Sequence, residues 1–171
     1  VPAVVDAIAP TPVAAAGGIA DGRGLAAALV LGAAGVLVGT RFYASAEALG
    51  HGAAKARLVE AGGDATLRTT IFDLVRGRDW PARFTGRALE NRLSQSWHGR
   101  EAELAGQLAK ERERYAAAAE AGDVSSAVVW AGEAVDLIRD LPPAGEIVQR
   151  MASEAGAALA RGVALRADAD R

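Results

Sequence analysis

Two glycine turns carry the chemistry this sequence offers. In "AAAGGIADGRG", residues 14–24, an apolar run ends at Gly17-Gly18 just ahead of a helical segment; in "GTRF", residues 39–42, a second apolar run ends the same way. Where a strand gives out into glycines and a helix follows, several backbone N–H groups lack carbonyl partners and the helix dipole adds partial positive charge. Such turns hold anions, phosphate above all. Glycine suits them because a side chain would block the approach of backbone to phosphate, and because the turns often need positive φ. Two such turns on adjacent parallel strands are the arrangement found after strands seven and eight of a (β/α)8 barrel, at its C-terminal face. The pair is far more specific than either turn alone. A dinucleotide fingerprint is not matched, because "GGIADGRG" has the wrong glycine spacing and no acidic residue ends the next strand.

The elements that position these turns follow a βαβα rhythm. "TPVAAAGG" (11–18) is a short apolar run of the kind a buried parallel strand shows, and "GVLVGT" (35–40) is a second. Between them "DGRGLAAALVLGA" (21–33) places Leu25, Ala28, Leu29 and Gly32 at helical spacing, with Asp21 as N-cap. "SAEALGHGAAKARLVEAG" (45–62) predicts another helix, capped by Ser45. "VPAVVDAIAP" reads as the last turns of an amphipathic helix with Val4, Val5 and Ile8 on one side, so the chain is expected to start inside a larger unit. Further on, "ATLRTTIFDLV" (65–75) predicts a strand or an irregular arm, and "GRDWPARF" a turn. Helices are predicted over roughly 87–95, 99–121, 123–139 and 143–161, the last with Ile147, Val148, Met151, Ala155 and Leu159 as its apolar set. The run "KERERY" (110–115) predicts a solvated helix face.

Bulk composition narrows the classes of function. A chain of 171 residues is long enough for one domain with a real core. With 19 basic and 21 acidic residues spread along it there is no basic stripe, so neither nucleic acid nor a membrane surface is an expected partner. There are no cysteines, which excludes disulfides, thiolate metal sites and cysteine nucleophiles. No apolar run reaches the roughly 18 residues a membrane helix needs, and a cytoplasmic protein is the expectation. Of the two histidines, His51 is read inside a helix and His98 at a helix boundary beside Trp97, neither as a base or ligand. No catalytic residue and no metal site is assigned. Arg41 adjoins the second turn, either as a rim ion pair or as a phosphate contact.

The stretch "PVAAAGGIADGRGLAAALVLGAAGVLVGTRFYAS" resembles the FMN-binding C-terminal part of the nitronate monooxygenase family. "TTIFDLVRGRDWPARFTGRALENRL", "WHGRE" and "VVWAGEAVDLIRDLPPAGEIVQRM" are similar to its C-terminal region, so the likeness runs over nearly the whole chain. The first motif is shared with flavin-containing enoyl-acyl-carrier-protein reductases. The resemblance implies an α/β fold, the last two βα units of a (β/α)8 barrel over residues 1–64, followed by a mainly helical region over 65–171. It implies FMN as cofactor, its phosphate held at Gly17, Gly18, Val38, Gly39 and Thr40, with an alkyl nitronate and dioxygen as substrates. It also implies Trp130 and Glu133 as neighbours of substrate or flavin. The family's active-site histidine, on an earlier "GGH"-like turn, belongs to barrel strands that this sequence does not contain.

Two parallel strands cannot close a barrel. Their open edges and uncovered faces predict pairing with the N-terminal barrel half or self-association, and the chain alone is expected to be inactive. Two functions from different classes therefore stand: part of an FMN-dependent oxidoreductase, or a noncatalytic interaction remnant.

Overall fold

The fold is that of a computed structural model, which describes residues 1–81 and 83–169, the side chains of 165–169 excepted. The chain packs as two compact units, Val1–Ala48 with Asp140–Arg171, and Leu49–Arg139. The division at residue 64 concerns a barrel and its appendage and stays a proposal.

The first unit opens with α1 (Pro2–Ile8), β1 (Ala14–Ala16), α2 (Gly22–Val30), β2 (Gly35–Leu37) and α3 (Thr40–Tyr43). The βαβ rhythm gives the parallel pair it predicts, in the register Ala14↔Gly35, Ala15↔Val36 and Ala16↔Leu37. Both strands are shorter than the apolar runs that contain them, because each run gives out into its turn. Asp21 caps α2 as expected: its backbone is extended and its carboxylate accepts from the amides of Arg23 and Gly24 at 2.9 and 3.2 Å. The core here is small, Ala15, Ala28 and Ala33 with Ile19 and Val36 against them. The unit is completed by a segment from the far end of the sequence. Of the apolar set expected there, Ile147, Met151 and Ala155 are buried, whereas Val148 and Leu159 are exposed.

The helix expected over 45–62 is shorter. The Ser45 hydroxyl donates to the Phe42 carbonyl at 2.7 Å and so closes α3 instead of capping a new helix. The helix itself, α4 (Gly52–Glu60), starts after His51, which belongs with it to the second unit.

In the second unit, β3 (Thr66–Thr69) runs directly into α5 (Ile71–Val75), resolving the 65–75 segment into both a strand and a helix. Ala82, in the expected "GRDWPARF" turn, lies outside the described residues. The helix expected over 87–95 is instead β4 (Gly86–Leu89), antiparallel to β3, followed by α6 (Arg92–Trp97). Asn91 makes the break. Its side chain accepts from the Ser94 amide while the Ser94 hydroxyl accepts from the Asn91 amide, a reciprocal cap. The long helix expected over 99–121 is α7 (Glu101–Ala105) and α8 (Leu108–Ala121), interrupted at Gly106-Gln107. Over 123–139 the expected helix gives way to turns, a single bridge pairing Trp130 with Ala88, and a short 3-10 turn, Glu133–Leu137. Val128, Val129 and Trp130 favour extended backbone, and β4 offers them a partner: Leu89 N–H donates to the Val129 carbonyl at 2.9 Å. Ile71, Phe72, Val75, Ala88, Leu93, Trp97 and Leu104 form this unit's core. The final helix, α9 (Ala144–Ala169), returns to the first unit and lies along α2.

Candidate functional site

The register of β1 and β2 decides whether the two glycine turns can act together. Ala16 is the partner of Leu37, so Gly17-Gly18 and Val38-Gly39-Thr40 leave neighbouring strands at the same rung. Both glycines of the first turn have positive φ, +95° and +72°, a conformation that side-chain-bearing residues avoid. A methyl group at Gly17, Gly18 or Gly39 would meet no atom within 4 Å, so open space lies beside all three. Gly17 and Gly18 directly follow the last residue of β1, and Val38 and Gly39 the last residue of β2. A glycine-lined strand tip of this kind is where backbone amides can approach an anionic group.

The first turns of α2 behave differently. Its Gly22 amide donates to the Glu154 carboxylate at 2.8 Å, and the next two amides go to Asp21. The N-terminus of α2 is therefore filled by the protein's own carboxylates, and any anion at this tip rests on the turn amides instead. Burial would raise the Asp21 carboxyl, but hydrogen bonds from Arg23 and Gly24 hold it below the ordinary aspartate range.

Arg41 points inward. Only 5% exposed, it donates to the Asp140 carboxylate at 2.8 Å and to the carbonyls of Asp140 and Ala44 at 2.7 and 2.6 Å. It makes an ion pair, as one of its two readings had it, but with its guanidinium buried and the second turn tied to the C-terminal segment. Asp140 also accepts from Arg150 at 2.7 Å, and these hydrogen bonds, Arg150 first and Arg41 after it, hold its carboxyl below the ordinary range.

The remaining candidates lie in the second unit. Trp130 packs edge-to-face on Phe72, centroids 6.0 Å apart, with the Arg76 guanidinium 5.6 Å from its ring centre. A side chain at Gly86 would overlap its indole ring. Glu133 pairs with Arg87 at 3.0 Å and its side chain is 69% exposed. His51 stands just before α4, not inside it, its imidazole against Gly122. His98 ends α6, with Nδ1 3.3 Å from the Thr69 hydroxyl. Among the described residues no group of histidines and carboxylates is arranged to hold a metal ion, and no helix is long and apolar enough to cross a membrane. Sequence reasoning missed Glu154 and Asp140, because the partners they hold are 132 and 99 residues away.

The fold and the candidate site define an α/β unit in which a parallel strand pair ends in two glycine turns with open space beside them. The chain belongs to the nitronate monooxygenase family, whose sequence pattern matches residues 1–154. It is 40% identical to nitronate monooxygenase npaC of Metarhizium robertsii over 96% of its own length and 47% of that relative. Among solved structures it is similar to FabK from Thermotoga maritima, with a TM-score of 0.79 and 29% identity over 96% of this chain and 50% of that one. It is also similar to nitroalkane oxidase from Streptomyces ansochromogenes, TM-score 0.72 and 30% identity over 94% of this chain and 43% of that one. The chain spans about half the length of the relatives it matches.

Proposed function

We propose that this chain supplies the phosphate-binding side of an FMN-dependent oxidoreductase of the nitronate monooxygenase type, built as a (β/α)8 barrel whose earlier strands pair with the free edges of β1 and β2. The observation that carries the proposal is the juxtaposition of Gly17-Gly18 and Gly39-Thr40 at one rung of the sheet, with open space beside the glycines. These residues fit a phosphate monoester. The Gly17 and Gly18 amides would donate to it, and Val38-Gly39-Thr40 would bound it from the next strand. Bound there, the flavin would supply the redox chemistry, oxidation of an alkyl nitronate with dioxygen. The contribution of this chain is to anchor the cofactor's tail and so fix where its ring lies. Trp130 and Glu133 are kept as candidate neighbours of the substrate, and the base belongs to strands outside this chain.

A second reading, an enoyl-acyl-carrier-protein reductase, draws on the likeness to FabK and uses the same cradle. The test is colour. Full-length protein should purify yellow, and Gly18→Asp, which sets a carboxylate in the cradle and strains a φ of +72°, should purify colourless yet folded. A yellow Gly18→Asp protein with unchanged FMN affinity would overturn the proposal. Turnover of alkyl nitronates against enoyl thioesters by the yellow protein decides between the two reactions.

A further inference from the structure

Both turns of the cradle are braced by one segment that itself makes no part of it. The first brace is Glu154 on α9, whose carboxylate accepts the Gly22 amide at 2.8 Å. Gly22 admits no side chain: a methyl group there would overlap the Glu154 Cβ and sit 2.6 Å from the Met151 carbonyl oxygen. α9 therefore meets the start of α2 at backbone contact, and the short path from Gly18 to Gly22 ends at a fixed point. The second brace is Asp140. It holds the Arg41 guanidinium through both its carboxylate and its carbonyl, and Arg41 directly follows Thr40. Two further hydrogen bonds fasten the same stretch, Ala46 N–H to the Pro142 carbonyl at 3.0 Å and Ala144 N–H to the Glu47 carboxylate at 2.8 Å.

Resting on the reading of the two turns as a phosphate cradle, we infer that residues 140–155 are a clamp that positions it, acting through Glu154 on the first turn and Asp140 on the second. Neither residue touches the phosphate. A glycine pair loses more conformational freedom on ordering than any other dipeptide, so a turn whose far end is already pinned binds its anion at lower entropic cost. The Arg41 Nε, buried with no hydrogen-bond partner among the described residues, shows how closely the second brace is enclosed.

The experiment compares FMN with riboflavin, which share the ring and differ by the phosphate, binding to full-length protein stripped of its cofactor. Affinities are read from the quenching of flavin fluorescence. Glu154→Ala and Asp140→Ala should each weaken FMN about tenfold, the loss of one charge-assisted hydrogen bond, and leave riboflavin unchanged. Glu154→Gln, whose amide oxygen still accepts from Gly22, should recover most of the FMN affinity. Equal weakening of both flavins, or of neither, would overturn the clamp. Gly18→Asp separates the two levels of argument. If it abolishes the preference for FMN while Glu154→Ala preserves it, only the clamp fails; if it leaves that preference intact, the cradle fails and the clamp with it.

Discussion

Gly22→Ala puts the packing of α9 on α2 to a quantitative test. Alanine normally stabilises a helix over glycine, by about 0.5–1 kcal/mol, because the unfolded chain has less freedom to lose. Here the new methyl would sit 2.5 Å from the Ala155 nitrogen and 2.6 Å from the Met151 oxygen. These are backbone atoms, which cannot swing aside as a side chain does, so restoring ordinary contact moves α9 by about 0.8 Å. Overpacking of this kind costs about 1–3 kcal/mol. The displaced helix also loses part of the hydrogen bond from Gly22 to Glu154, worth about 1.5–3 kcal/mol when intact. Set against the gain from alanine, the net loss is about 1–4 kcal/mol. Urea denaturation followed by circular dichroism gives the figure, and Gly156→Ala is the control. Gly156 lies within α9 with open space beside it, so its replacement should stabilise by about 0.5–1 kcal/mol. A Gly22→Ala protein as stable as Gly156→Ala would refute the backbone contact.

Three further outcomes are expected. Asn91→Ala removes the cap of α6 and the donor to the buried Ala127 carbonyl, 3.0 Å away, so it should lower stability by about 2–4 kcal/mol in the same titration. Trp130→Ala opens a void beside Gly86 and Phe72 and should cost about 3–5 kcal/mol, whereas Trp130→Phe should cost clearly less. The Asp140 carboxyl is held below its ordinary range by Arg150 and Arg41, so its pairs stabilise the fold above that range and lose their effect as pH falls through the lowered value. The stability gap between wild type and Asp140→Asn should therefore be full at pH 7 and close on acidification, as urea midpoints across that range would show.

What could be read from the sequence is what local rules govern. The Gly17-Gly18 turn and the Asp21 cap each depend on residues within a few positions of one another, and the parallel pairing of two short apolar runs follows from the single helix that separates them. The helix expected over 123–139 does not form because Val128, Val129 and Trp130 take an extended form stabilised by β4, distant in sequence. The break at Asn91 carried a legible signal, a capping asparagine with serine three residues on, that helical composition around it obscured. Ser45 shows the converse: a hydroxyl at a plausible cap position serves the preceding turn as readily as the following helix. Glu154 and Asp140 had no such signal. A surface-type acid, on a helix as Glu154 is or in a connection as Asp140 is, acquires its role only from the partner that folding brings to it.

The backbone bond between Ala46 and Pro142 has a topological consequence. The chain leaves the first unit just after Ala46 and re-enters it just before Pro142, through doorposts already fastened to each other. Residues 49–139 are thus spliced into a host whose continuity they do not supply, so a short linker in their place should leave that host able to close on itself.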